Sequence, residues 1–263
     1  MQIPILELKG LTVRRDITIL SDIHWRILPN EHWVILGANG SGKTTLLRTL
    51  LAYTAPTEGA ISLFGESYGQ TDWREIRKHV GIVSSHLGER IASKITVREL
   101  VESGRDAAFR PPRHLADTED EKIHSILQQI RCLDIEHRSW IYLSQGERQR
   151  TLIGRALMAD YRLLILDEPC AGLDPVARQS FLEFLDGLMR DPGSPAIVLV
   201  THHVEEILPG FTHVFLMKNG KVLAQGPKES VLTSAWMSEA FDADVSLQKL
   251  NETYSLTIHT KGK

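Results

Sequence analysis

The chain is poor in the features that mark several large classes of protein. It has 263 residues and only two cysteines, Cys132 and Cys170. They stand far apart, and neither has metal-ligand spacing around it, so two reduced thiols are expected. No apolar run approaches the roughly 20 residues needed to cross a bilayer. The opening Met1-Gln2-Ile3-Pro4-Ile5 has neither the charged region nor the long apolar run of a secretory leader, and none is expected. Work at a membrane would then go through a partner. Basic excess is missing too: the formal net charge is −3. That balance does not suit the neutralisation of a phosphate backbone, so no nucleic acid is expected as partner.

What is present is ordinary in bulk and specific in detail. Hydrophobic residues make up 42% and charged residues 24%, enough to build a globular core at a length that one α/β domain can reach. Four short apolar runs read as strands covered on both faces: Trp33–Leu36, Leu163–Leu166, Ala196–Val200 and Val214–Met217. Helical patterns lie between them, and that alternation argues for a mainly parallel sheet. Ile5–Val13 and Ala60–Phe64 predict a small antiparallel layer near the N-terminus. Asn219-Gly220 between two apolar runs predicts a hairpin. Trp25 and Trp33 read as core residues. From about Ile95 to Asp160 the pattern is mostly helical. Thr96 with Glu99 is a capping signal, and Ile123, Ile126, Leu127 and Ile130 have helical spacing within Asp120–Leu133.

The sharpest motif is Gly37-Ala38-Asn39-Gly40-Ser41-Gly42-Lys43-Thr44, which fills every fixed position of G-x-x-x-x-G-K-[ST]. It follows a predicted strand and precedes an apolar helical stretch, the context the motif requires. Glycines there let successive backbone N–H groups face inward as a nest for phosphate oxygens. The positive end of the following helix adds to that field. Lys43 can reach the β- and γ-phosphates of a nucleotide, and the Thr44 hydroxyl can ligate Mg2+. Thr45 is read either as a further phosphate contact or as a plain helix residue.

A second site stands at the end of Leu163–Leu166, where the chain continues Asp167-Glu168-Pro169. Two adjacent carboxylates at the end of a buried strand are costly unless a cation or a reaction needs them. Asp167 suits the nucleotide's Mg2+, and Glu168 suits polarisation of an attacking water.

Further segments carry a family resemblance. Leu143-Ser144-Gln145-Gly146-Glu147-Arg148-Gln149-Arg150 resembles the signature of ATP-binding-cassette (ABC) ATPases, L-S-G-G-Q and its variants. Ala171-Gly172-Leu173-Asp174 resembles that family's D-loop, and Leu199-Val200-Thr201-His202 resembles its switch-histidine strand. Order and spacing agree from about Ile5 to Gly226. The resemblance is to separate ATPase subunits of bacterial importers, of the molybdate- or iron-type single-cassette subgroup.

That resemblance implies an α/β P-loop NTPase fold: a mainly parallel central sheet, a small N-terminal antiparallel β layer and a helical insert. It implies one nucleotide-binding domain over 1–230, with the helical subdomain at about 90–160, and a short C-terminal extension over 231–263. ATP and Mg2+ are the implied ligands, and the implied reaction converts ATP and water to ADP and phosphate. A head-to-tail homodimer is implied, with each ATP between the phosphate loop of one subunit and Ser144 and Gly146 of the other. Ser144 with Glu147 also fits a local capping box, and both roles can hold at once. His202 would contact the γ-phosphate and help hold Glu168 and the water, while Asp174 would meet the opposite subunit. His203, directly after His202, reads as structural. A transmembrane permease is the implied partner, met in an apolar groove near Ile91, Ile95 and Val97, with the protein cytoplasmic and peripheral on the inner face of the cell membrane. A soluble ABC-type ATPase without a membrane partner is the alternative.

The sequence departs from the family in three places. Gln145 replaces a signature glycine. Ser85 stands where the family carries a glutamine, which puts coupling to the membrane partner in question. Near Arg15 the family often has an aromatic residue that stacks on adenine; a guanidinium can also lie on a planar ring.

Overall fold

The computed structural model describes residues 2–84, 91–105, 117–159 and 161–259. The chain begins with β1 (Leu6–Arg14), β2 (Thr18–Ile27), β3 (Trp33–Leu36), α1 (Lys43–Leu50), β4 (Glu58–Leu63), β5 (Glu66–Ser67) and α2 (Trp73–Arg77). It continues with β6 (Val80–Ser84), α3 (Val97–Glu102), α4 (Asp117–Gln129), α5 (Gln145–Met158), β7 (Leu163–Asp167) and α6 (Pro175–Met189). Then come β8 (Ala196–Thr201), β9 (His213–Lys218), β10 (Lys221–Pro227), α7 (Lys228–Val231), α8 (Ser234–Phe241), β11 (Val245–Leu250) and β12 (Thr253–Ile258). These form two compact units, one of residues 1–77 with 196–263 and one of 78–195.

In the first unit the predicted antiparallel layer is present in the order β2-β1-β4-β5. In β2 buried Leu20, Ile23, Trp25 and Ile27 share the strand with exposed Asp22, His24 and Arg26, the alternation of a sheet covered on one face. β3 is different: all four of its residues are buried, and it pairs in parallel with both β8 and β9. Continuous apolarity is what such a doubly covered strand needs. Trp25 and Trp33 are core residues as expected, 3% and 4% exposed, with ring centroids 5.6 Å apart at 74°. The β9–β10 hairpin turns at Asn219 and Gly220, with φ of 48° and 74°. Two consecutive positive φ values are the geometry that makes Asn-Gly the favoured hairpin pair. Residues 234–258 also pack into this unit: Met237 and Ala240 of α8 are buried together with Val245 and Tyr254 of the β11–β12 hairpin.

In the second unit β6 and β7 run parallel, in register from Val80 with Leu163 to Ser84 with Asp167. The helices beside them start on capping boxes. Thr96 accepts from the Glu99 N–H while the Glu99 carboxylate accepts from the Thr96 N–H, and Ser144 and Glu147 repeat the arrangement on α5. Each exposed cap of this kind is worth about 1 kcal/mol. Ile123, Ile126, Leu127 and Ile130 are buried along α4 and just beyond it, as their spacing predicted.

Of the residues near which an apolar groove is expected, Ile95 is half-buried. Ile91 and Val97 are core residues, 8% and 1% exposed. The Ser93 and Ile95 carbonyls accept from the Ile141 and Trp140 N–H groups, which holds this segment against the chain leading into α5. Ser85 lies outside the described residues. Both cysteines are buried and free, and burial pushes the Cys132 thiol above its ordinary pKa. Among the described residues, no helix is long and apolar enough to cross a membrane.

Candidate nucleotide site

The phosphate loop begins where β3 ends and wraps onto α1. Gly42, the N-cap of α1, has φ 106°, which a side chain would strain. A Cβ at Gly37 would lie 2.5 Å from the Met217 carbonyl oxygen and 2.8 Å from Ser41 Oγ. Glycine at both positions is thus demanded by the loop's own packing. Lys43 is 6% exposed and folds back over the loop, donating from Nζ to the Gly37 carbonyl at 2.8 Å and the Ala38 carbonyl at 3.1 Å. Its ammonium is therefore held at the mouth of the nest. Asn39, Gly40 and Thr44 are exposed, and Gly40 has no atom near a would-be Cβ, so this side of the loop is open to a ligand. Thr45 is half-buried, and its carbonyl accepts from Thr49 Oγ1 inside the helix.

Sequence reasoning saw the Asn219-Gly220 turn but not its contact with this loop. The Gly220 N–H donates to the Ser41 carbonyl at 2.9 Å, and the Gly220 carbonyl accepts from the Ser21 N–H at 2.9 Å. The hairpin tip thereby ties the phosphate loop to β2. Only the turn chemistry was local enough to be visible; the partners lie about 180 and 200 positions away.

His202 follows β8, and β8 lies in register beside β3 with Thr201 opposite Leu36. The loop and the histidine thus leave neighbouring parallel strands at the same end, where ligands of α/β sheets gather. The segment around His202 is anchored from below. The His203 N–H donates to Thr201 Oγ1 at 3.0 Å, and that hydroxyl donates to the buried Glu206 carboxylate at 2.7 Å. Arg15, by contrast, sits in the exposed turn between β1 and β2, beside exposed Ile17.

The second unit carries the remaining predicted residues. Asp167 ends β7 and is half-buried. Glu168 has φ 47°, in the left-handed region, and its carbonyl accepts from the Ala171 N–H at 3.1 Å. Left-handed backbone at a glutamate costs about 1–2 kcal/mol, and such strain gathers at functional sites. Ser144 is exposed at the N-terminus of α5 and caps it. A Cβ at Gly146 would meet only the Ala177 Cβ at 3.8 Å and Arg150 Nη1 at 3.9 Å, ordinary contacts. Packing within the unit does not demand glycine there. Asp174 caps α6, its carboxylate accepting from the Val176 and Ala177 N–H groups at 2.9 and 3.0 Å.

These motifs lie in a chain whose sequence matches the ABC transporter family over residues 20–171. The chain belongs to that family. The uncharacterized ABC transporter ATP-binding protein YlmA of Bacillus subtilis is 38% identical over 92% of both chains. The energy-coupling factor transporter ATP-binding protein EcfA of Methanoculleus marisnigri is 31% identical over 87% of this chain and 81% of its own. Among solved structures, cbiO1 of Clostridium perfringens, part of the ABC transporter complex cbiONQ, superposes with a TM-score of 0.79. It is 25% identical, with 90% of this chain and 94% of that one covered. The ABC cassette described here is an ATP-binding, ATP-hydrolysing subunit of an ABC transporter, with the P-loop NTPase fold that its sequence predicts.

The cassette's donor groups suit Mg2+. A threonine hydroxyl and an aspartate carboxylate are hard oxygen ligands. Among the described residues, no cluster of three or more His, Cys, Asp or Glu side chains gathers into a metal cage. Mg2+ held by so few protein oxygens takes further ligands from the nucleotide's phosphates, as Mg2+ sites in nucleotide enzymes do.

Proposed function

We propose that the cassette hydrolyses Mg-ATP as a head-to-tail homodimer that drives a separate membrane permease from the cytoplasmic face. The amides of the 37–42 loop and Lys43 hold the β- and γ-phosphates, and Thr44 and Asp167 hold Mg2+. Thr45 adds a further contact in the first turn of α1. Glu168 orients and polarises the water that attacks the γ-phosphorus, and His202 steadies the γ-phosphate and that water. Ser144 and Gly146 present the N-terminus of α5 to the nucleotide on the opposite subunit, and Asp174 meets that subunit. Catalysis on this reading comes mostly from positioned charges and dipoles.

The observation that carries it is the paired exit of the phosphate loop and His202 from β3 and β8. Gly146 supports the dimer, because the chain's own packing leaves room for a side chain where none stands. The membrane partner is supported by the resemblance to cbiO1, described as part of the cbiONQ transporter complex, and to EcfA, an energy-coupling factor transporter component. The nucleotide-binding domain, on this reading, spans 1–230 and the extension 231–263.

Glu168→Gln tests the reading. It keeps the shape of the side chain and removes its basicity, so turnover should fall at least about 100-fold while ATP affinity stays within a few-fold. Turnover near the parent rate would remove Glu168 from the mechanism. The same tagged variant, captured from gently solubilised source cells with Mg-ATP, should bring down a stoichiometric polytopic membrane protein. Recovery with soluble partners alone would overturn the permease.

A further inference from the structure

Where L-S-G-G-Q ends on a neutral glutamine, this chain has Glu147. Glu147 is the third residue of α5, and both of its carboxylate oxygens are engaged. Oε2 accepts from the Ser144 N–H at 2.7 Å, and Oε1 accepts from Arg138 Nη1 at 3.0 Å. Arg138 is itself fixed through its backbone. Its N–H donates to the Ile135 carbonyl at 2.8 Å, and its carbonyl accepts from the Val97 N–H at 3.1 Å. The basic residues that follow on α5 hold other places. Arg148 donates to the Ile141 carbonyl at 3.2 Å and lies over the Trp140 ring at 5.3 Å. Arg150 Nη1 stands 3.9 Å from where a Gly146 Cβ would be. Arg138 is thus the cation in direct contact with the signature carboxylate.

The Ser144 hydroxyl accepts from the Glu147 N–H at 3.3 Å, which leaves its own hydrogen to donate. On the proposed function that hydrogen goes to the γ-phosphate of the ATP held by the opposite subunit. A carboxylate in the first turn of α5 suits the positive helix start but repels an arriving phosphate. A guanidinium bound to the same carboxylate offsets that repulsion, and it leaves Oε2 on the Ser144 N–H. Both side chains are partly in water, 44% and 20% exposed, so the effect is of modest size.

We propose that Arg138, acting through Glu147, is a positioning residue of the composite ATP site. It neutralises the signature carboxylate and steadies the capping box that presents Ser144 to the phosphate on the opposite subunit. That role rests on the composite site proposed above.

The test is steady-state ATPase kinetics, at low and at high salt, on purified parent, Arg138→Gln, Arg138→Lys, Glu147→Gln, the double variant Arg138→Gln with Glu147→Gln, and Ser144→Glu. Arg138→Gln should lower kcat/KM for ATP about three- to tenfold at low salt, the scale of one partly exposed charge interaction. The deficit should narrow as salt screens the carboxylate, which a loss of packing would not do. Arg138→Lys keeps the charge, and the contact uses a single nitrogen, so it should return to within about twofold of parent. Glu147→Gln keeps the capping box without the charge, so in that background Arg138→Gln should change kcat/KM by less than about twofold. An equal loss in both backgrounds overturns the proposal, because Arg138 would then act through the fold or another group. A parental rate in Arg138→Gln beside an inactive Ser144→Glu overturns the role of Arg138 and leaves the composite site standing. A parental rate in Ser144→Glu overturns the composite site and this role with it.

Discussion

On the proposed function, Lys43 is the residue on which ATP binding turns, and its surroundings say why. Its ammonium is nearly buried and donates to two carbonyls of the loop it serves. Burial without those bonds would be costly for a charge. Holding the charge there in advance means that a phosphate entering the nest meets a cation already in place, in a setting of reduced dielectric. Lys43→Ala should weaken ATP binding about 10- to 100-fold, the worth of a charge-assisted bond or two, read by titration calorimetry. The same change should cost the free protein some stability, because the Gly37 and Ala38 carbonyls lose their donor. Glu168 shows the complementary principle. Its left-handed backbone is a local cost that the turn to Ala171 maintains, the kind of strain that gathers at functional sites.

Among the elements, the β9–β10 hairpin supports the candidate phosphate loop through two backbone bonds at its tip. Its tip bonds the Ser41 carbonyl on one side and β2 on the other. A Cβ at Gly220 would fall 2.0 Å from the Ile19 carbonyl oxygen, backbone that cannot swing aside. Gly220→Ala should therefore cost about 2–3 kcal/mol and weaken ATP binding through displacement of the loop, read by thermal melting and nucleotide titration. Gly69→Ala is the control: φ is positive there too, at 85° against 74° for Gly220, but nothing lies near the added methyl, so it should cost only the backbone strain of about 1 kcal/mol and leave ATP affinity alone. This element also marks the limit of what the sequence carries. The phosphate loop, the Asp167-Glu168 pair and the buried strands were legible because each is a short stretch whose chemistry is local. The hairpin was legible as a turn, but its grip on Ser41 depends on a sheet that brings distant residues together. β2 was not singled out, because exposed Asp22, His24 and Arg26 interrupt its apolar face. Ile91 and Val97 are buried in their own chain, which their apolarity alone does not foretell: it says that a side chain leaves water, not whether its own chain or a partner covers it.

At the scale of the molecule, the residues proposed for hydrolysis are divided between the two compact units. The first holds the phosphate loop and His202, the second Asp167, Glu168 and the capped start of α5. In a head-to-tail homodimer, one site uses the loop of one subunit and Ser144 of the other, so every composite site draws on both chains. That arrangement makes a prediction no single-subunit site shares. Lys43→Ala disables a subunit's loop; Ser144→Glu leaves an exposed position intact in fold, at about 1 kcal/mol for the poorer cap, but sets a carboxylate against the partner's γ-phosphate. Each homodimer should be inactive. In a mixed dimer, both lesions fall in one composite site and the other site is formed from two intact halves. Mixing the purified variants one to one and allowing exchange should restore ATPase activity to about a quarter of parent, as half the dimers carry one working site of two. Activity that stays near zero after exchange, with mixed dimers shown to be present, would mean either that each site lies within one chain or that one site cannot fire alone. Single-turnover hydrolysis of ATP loaded onto the mixed dimer separates the two, since an intact composite site should complete its one turnover even where repeated cycling needs both.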